Sequence, residues 1–273
     1  VTLSRPEARA LLESHGLRPK RRLGQNFVVD ANTLSRIARL AAIAPGERVL
    51  EVGAGMGALS EALLAAGAEL RCLEVDPELV ELLRERRELD QASIILGDAL
   101  EFDLDELCPA SLAPWALVAN LPYNVATPVV LRVLEQAPQV ERLLVMVQLE
   151  VADRLAAGVG DPAYGAVSLR VAYHATAKVV GKVPPTVFLP QPSVDSGLVS
   201  IIRRPKPLVD PGVATEEEIF VLVKQAFGQR RKMLRRSLAG VLDEACFERA
   251  GVSPTARPEE LDVAAFGRLA AAR

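Results

Sequence analysis

The feature that leaves this chain least freedom is an alternation between residues 48 and 148. Short apolar runs alternate there with helical segments. RVLEV at 48–52, LRCLEV at 70–75, SIILGD at 93–98, Trp115 to Ala119 and LLVMVQ at 143–148 read as buried strands. ALSEALLAAG ends at Gly67, PELVELLRERR spans 77–87 with Pro77 in its first turn, and 127–136 reads as a third helix. Strands joined through helices lie parallel, with helices covering both faces of the sheet. A ligand then belongs at the carboxyl ends of the strands.

The flanks are of a different kind. Residues 5–15 read as a short helix, and 17–30 as a basic loop entering a helix near 31–43, with a Pro45-Gly46 turn after it. Beyond 150 come a helical stretch to about 175, KVVGKVP, a Pro-rich loop at 184–197 and a strand LVSIIR at 198–203. RPKPLVDPG at 204–212 is the best linker candidate. After it TEEEIFVLVKQAF, RRKMLRRSLAGVL and two short segments read as helices. The expected domains are therefore 1–206, a sheet domain with a basic N-terminal segment, and 207–273, a small all-helical domain.

No stretch of about 18 apolar residues is present, so no membrane helix is expected. The polar, basic start offers no secretory signal. The three cysteines, Cys72, Cys108 and Cys246, match no zinc spacing. No metal is expected, and a reducing cytoplasm suits them.

The net charge of -3 hides a strong asymmetry. Residues 1–26 carry a net +4, residues 224–236 a net +6 with no acid, and residues 47–106 a net -11. Exposed charges are screened beyond about 8–10 Å, so a binding surface responds to local potential. Two basic segments can therefore meet a phosphate backbone on a protein that is acidic overall, although solvated basic runs are common too.

Gly53-x-Gly55-x-Gly57 follows the first strand and opens a helix. A strand, a Gly-rich turn and a helix N-terminus make a nucleotide-type site, though a tight turn alone has the same spacing. Glu74 ends the second strand, where a carboxylate can accept from ribose hydroxyls. Asp98 ends the third, placed for an adenine amino group. Geometry alone leaves NAD open. The six-residue pyrophosphate form is absent, however, and the sulfonium of S-adenosylmethionine suits an acidic lobe.

The fourth strand runs into Asn120-Leu121-Pro122-Tyr123. The Asn120 Oδ1 and the Leu121 carbonyl can both accept hydrogens from an exocyclic amine, and Tyr123 can stack on the attached base. An adenine amine is a weak nucleophile because its lone pair is delocalised into the ring. Two acceptors that hold its hydrogens out of plane localise that pair. Positioning and electrostatics then supply most of the rate, without a strong base.

RRLGQNFVVD (21–30), EVGAGMGALSEAL (51–63), LEVD (73–76), GDAL (97–100), NLPYNVATP (120–128), VPPTVFLPQPSVDS (183–196) and AFGQRRKMLRRSL (226–238) together resemble the KsgA family. These are small-subunit ribosomal RNA adenine N6,N6-dimethyltransferases. The motifs run in the family's order over roughly residues 17–240.

The resemblance implies a Rossmann-like class I methyltransferase sheet with a C-terminal helical domain, binding S-adenosylmethionine. It implies as substrate two adjacent adenosines in the 3′-terminal hairpin loop of 16S rRNA, each methylated twice during late subunit assembly. Carried onto this chain, Asn26, Val28, Gly53, Gly55, Glu74, Asp98 and Asn120 would hold the cofactor. Asn120, Leu121 and Tyr123 would hold the target adenine, with Phe188 against its other face. Arg21, Arg22, Arg230, Arg231, Lys232 and Arg235 would contact RNA, and the protein is expected to act as a monomer.

Val28 stands where the family usually has Leu, and Gly228 where Asn is common. An antibiotic-resistance methyltransferase of large-subunit rRNA would more often carry Ile at 121. A non-catalytic assembly factor on the same fold is the alternative of another class.

Overall fold

The computed structural model describes residues 3–273. In chain order it has α1 (Arg5–Ser14), β1 (Phe27–Val28), α2 (Ala31–Ala41), β2 (Arg48–Val52), α3 (Ala58–Ala65), β3 (Glu69–Glu74) and α4 (Pro77–Glu85). There follow β4 (Ser93–Leu96), α5 (Leu104–Leu107), β5 (Trp115–Asn120), α6 (Ala126–Gln136), β6 (Val140–Gln148), α7 (Leu149–Ala156) and α8 (Ala166–His174). Then come β7 (Ala175–Val183), β8 (Phe188–Leu189), β9 (Ser196–Arg203), α9 (Glu216–Phe227), α10 (Leu234–Ser237), α11 (Glu244–Ala250) and α12 (Val263–Ala271).

Seven strands form one sheet in the order β4-β3-β2-β5-β6-β9-β7. β2 through β6 pair in parallel, and β9 runs antiparallel to β6. The chain winds outward from β2 in one direction and from β5 in the other, so the order reverses between these two. That switch point opens a crevice at the carboxyl ends of the strands. On one face Val49, Leu70, Val118, Leu144 and Leu198 pack against Leu34, Ile37, Leu59 and Leu63 of α2 and α3. Asp30 caps α2 by accepting from the Thr33 N–H at 2.7 Å, as a helix start requires.

A separate two-stranded ribbon pairs Phe27 with Leu189 and Val28 with Phe188. Residues 17–30, expected as a loop, thus include strand β1, which exists only through its pairing with residues more than 150 positions away. KVVGKV at 178–183, unassigned from sequence, belongs to strand β7.

Contacts divide the chain into two units, the residues up to Ala152 with Lys178–Ile202, and Asp153–Ala177 with Arg203–Arg273. The expected boundary at 206/207 is therefore corrected. Tyr164, Leu169 and Tyr173 join Ile219, Phe220, Leu234, Phe266 and Leu269 in the core of the second unit, and the Tyr164 hydroxyl donates to the Leu261 carbonyl at 2.9 Å. The Pro-rich stretch 204–212 is not a free linker either, because Val209 is buried in the same core.

The helix expected over RRKMLRRSLAGVL is also corrected. α9 ends at Phe227, turns follow, and only Leu234–Ser237 is helical. The cause is tertiary, since the Leu234 and Arg235 N–H groups donate to the carbonyls of Ala256 and Pro254. A continuous helix would also stack like charges at i and i+4.

Phe266 is completely buried in the second unit. Phe266→Ala should cost roughly 3–5 kcal/mol. Urea denaturation followed by circular dichroism checks this, and an unchanged midpoint would contradict the assigned core.

Candidate active site

The crevice is built by four consecutive strand ends and one loop. Gly53 and Gly55 follow β2, Glu74 ends β3, Asp98 follows β4 and Asn120 ends β5. All of them line one cleft together with Asn26 and Val28 of the N-terminal segment and Leu121 and Tyr123 of the turn. The cleft measures about 1100 Å³ with its open mouth included.

The glycines are required by geometry. Gly53 and Gly55 have φ of 75° and 60°. A Cβ on Gly55 would lie 2.8 Å from the Phe27 ring, and one on Gly53 would lie 3.2 Å from Pro122. Gly57 serves the interior instead, because a Cβ there would strike Leu89 and Leu83 at 2.6 and 2.9 Å.

Glu74 is 4% exposed. Its Oε2 accepts from the Gly55 N–H at 2.8 Å, and its Oε1 from the N–H groups of Val75 and Asp76, both at 3.0 Å. Burial pushes its pKa up against these bonds. A carboxylate offers about four acceptor sites, so Glu74 keeps room for about one further donor and chiefly braces the Gly-rich turn. Asp98 is exposed, and its Oδ1 accepts from the Leu100 N–H at 2.8 Å.

At the reacting end the Asn120 Nδ2 donates to the Asn26 carbonyl at 2.9 Å. A carbonyl can only accept, so this bond fixes which way the amide faces. Asn120 Oδ1 is then buried with no hydrogen-bond partner. An orphaned buried acceptor costs roughly 1–3 kcal/mol unless a ligand satisfies it. The Tyr123 hydroxyl and Ser196 Oγ lie 2.7 Å apart and share a hydrogen bond, which anchors the ring. Burial raises the Tyr123 pKa, the Ser196 bond opposing, so it remains a phenol at neutral pH.

Phe188 is corrected. Its pairing with Val28 puts the ring fully inside, in the core with Leu34 and Leu198, and it does not line the cleft. None of the basic residues is among the side chains lining the cleft. Arg21 and Arg22 are exposed in a 3₁₀ turn. In the second unit Arg230, Arg231, Lys232 and Arg235 are all exposed. Arg230 has Glu259 at 3.7 Å and Lys232 donates to Gln229 at 2.7 Å. The side chains of Arg231 and Arg235 have no partner among the described residues.

Glu51 was missed, although an acid inside the apolar run RVLEV is a visible signal. It lines the cleft at 1% exposure, and its Oε2 accepts from Ser60 Oγ at 2.6 Å. Burial pushes its pKa up to about 8, against the bonds from Ser60 and Cys72. Ser196 was missed as well, since nothing local signals a partner 73 residues from Tyr123.

Three tests bear on S-adenosylmethionine. The Gly53–Gly55 turn would be blocked by a Cβ, the carboxyl groups of Glu74 and Asp98 line the cleft, and Asn120 Oδ1 lacks a donor. The residues fit that group. When bound it supplies an electrophilic methyl on a sulfonium sulfur.

A family model described as ribosomal RNA adenine dimethylase matches residues 16–271. The chain belongs to the ribosomal RNA adenine dimethylase family. It is an S-adenosylmethionine-dependent methyltransferase acting on ribosomal RNA adenine. The ribosomal RNA small subunit methyltransferase A of Kineococcus radiotolerans is 47% identical, over 99% of this chain and 91% of its own length. The protein of that name from Streptomyces coelicolor is 46% identical, over 97% and 94%. The solved 23S rRNA methyltransferase ErmE is 27% identical with a TM-score of 0.69, over 89% of this chain and 98% of that one. A dimethyladenosine transferase from Plasmodium falciparum shares the fold, with a TM-score of 0.75 at 21% identity over 89% and 95%. Among the described residues no helix is long and apolar enough to cross a membrane.

A carboxyl whose folded pKa is raised from 4.5 to about 8 loses folding stability as pH rises between those values. Glu51→Gln keeps an acceptor for Ser60 and removes that slope. The variant should match the wild type near pH 4.5 and exceed it by up to about 5 kcal/mol above pH 8. Urea midpoints across that range test this, and parallel profiles would contradict it.

Proposed function

We propose that this enzyme dimethylates two adjacent adenosines in the 3′-terminal hairpin loop of 16S rRNA, in a late small-subunit particle in the cytoplasm. It works as a monomer on this reading. The observation that carries the proposal is the buried, unpartnered Asn120 Oδ1 beside the Pro-fixed turn. With the Leu121 carbonyl, which accepts from no group among the described residues, it offers two acceptors for one amine. Tyr123, anchored through Ser196, gives the base a fixed aromatic face. Asn26, Val28, Gly53, Gly55, Glu74 and Asp98 form the cofactor's side of the same cleft.

An adenine in a duplex is out of reach, so a loop or a flipped base is the form such a site takes. Phosphate contacts then set position. The exposed Arg21, Arg22, Arg230, Arg231, Lys232 and Arg235 fit that role. The near full-length relatives carrying a small-subunit name support the choice of subunit.

The deciding experiment transfers labelled methyl groups to 30S particles lacking the modification, with 50S particles as control. Dimethyladenosine formed only in 30S supports the proposal, and label in 50S points to large-subunit chemistry. Asn120→Ala should abolish transfer while leaving RNA affinity within about tenfold, or roughly 1.4 kcal/mol. Full activity would remove the amine-orienting role. Reversing charge at Arg231 and Arg235 should weaken particle binding and reduce its salt slope. An unchanged slope would mean that these arginines are merely solvated.

A further inference from the structure

The N-terminal segment reaches the cleft as residues 20–26 and is tied down at two places. At the first, the Asp76 carboxylate accepts from Lys20 Nζ through Oδ1 and from Gln25 Nε2 through Oδ2, both at 2.8 Å. Gln25 Oε1 accepts in turn from the Lys20 backbone N–H at 2.7 Å, so the three groups close a ring. Lys20 also bonds Glu78 at 2.5 Å. At the second place the Asn26 carbonyl accepts from Asn120 Nδ2. Gly24 lies there so close to the turn that a Cβ would stand 2.7 Å from Asn124 Oδ1.

Asp76 is also the N-cap of α4, but its cap bond to the Glu78 N–H is long, at 3.3 Å. A cap needs one oxygen. Here the other oxygen goes wholly to the loop, on a residue 2% exposed. The Asp76 N–H itself donates to Glu74, which braces Gly55. Burial works against ionising Asp76, but the bonds from Lys20 and Gln25 outweigh it and hold the carboxyl below its usual value of 3.8. The tie is therefore charged and intact at neutral pH, and is lost only in acid.

We propose that Asp76, acting through Gln25 and Lys20, is a positioning residue for methyl transfer, holding loop 20–26 so that the Asn26 carbonyl keeps the Asn120 amide turned with Oδ1 toward the incoming amine. This rests on the reading of Asn120 given above. The loop contributes Asn26 to the cofactor cleft and leads directly into β1, which contributes Val28, so one tie serves both halves of the site.

The test uses the full chain with Asp76→Asn, which retains a good cap, and Lys20→Met and Gln25→Met, which leave the cap untouched. S-adenosylmethionine affinity is measured by calorimetry without RNA, and kcat on undermethylated 30S particles at saturating cofactor. Expected are a roughly tenfold weaker cofactor Kd, a kcat at least about fivefold lower in all three variants, and partial recovery in Lys20→Arg. A wild-type kcat at saturating cofactor in Lys20→Met and Gln25→Met overturns the proposal, even if Asp76→Asn is impaired, because Asp76 is then only a cap. Should Asp76→Asn fail to fold, the two loop variants decide alone. Full activity of Asn120→Ala would instead sink the orienting role of the amide, while a loss of cofactor affinity in the loop variants would survive it.

Discussion

The hydrogen bond from Asn120 Nδ2 to the Asn26 carbonyl is the contact on which the rest of the site depends. It joins the end of β5 to a segment from the start of the chain, and it decides which atom of the amide is left over. Without it the amide can rotate, and Oδ1 and Nδ2 become interchangeable. An adenine amine has two hydrogens to give and a delocalised lone pair. A site that presents a donor to that amine gains nothing, whereas one that presents two acceptors fixes its geometry before reaction. Pre-organisation of this kind removes reorganisation from the reacting step.

The sheet makes that contact possible. Because the strand order reverses between β2 and β5, their ends diverge and leave room for the Gly-rich turn on one side and the Asn-Leu-Pro-Tyr turn on the other. Glu74 ends β3 and Asp76 caps the helix that follows, and the two have different tasks. Glu74 accepts from three backbone N–H groups and stiffens the turn. Asp76 accepts from two side chains and stiffens the N-terminal segment. Neighbouring acids of similar burial are thus sorted by what donates to them, not by their own chemistry.

Much of this was legible in the sequence, and the pattern of misses is physical. The apolar run at 48–52 coincides with β2, and those of β3, β4 and β5 agree with the strands to within two residues at each end. A strand buried on both faces is a continuous apolar run with polar residues at its end. The cleft residues Gly53, Gly55, Glu74, Asp98, Asn120 and Tyr123 follow from the same logic, because each ends a strand or stands within three residues of its end. What failed was whatever is decided by distant partners. The ribbon of β1 and β8 is two residues long on each side and exists only as a pair. Phe188 has an exposed-loop context in sequence and a core environment in space. The basic stretch after Gly228 has helical spacing, yet carbonyls near residue 255 capture its N–H groups. Three prolines in 204–212 have the composition of a tether, yet Val209 packs inside the helical core.

The interleaved division of the chain carries a consequence for how such a protein can change. The stretch from Asp153 to Ala177 leaves the sheet unit, completes the other core and returns, and the chain leaves again after Ile202. Three junctions join the two parts. A gene fusion or truncation with one cut cannot separate them, because Tyr164 and Tyr173 would stay behind with their apolar partners removed. A ribosome making this chain likewise releases one side of the helical core well before the other, so that core can close only after Phe266 and Leu269 have emerged. A helical part excised at a single junction would leave that core without Tyr164, Leu169 and Tyr173, so it is not a separable module of this chain.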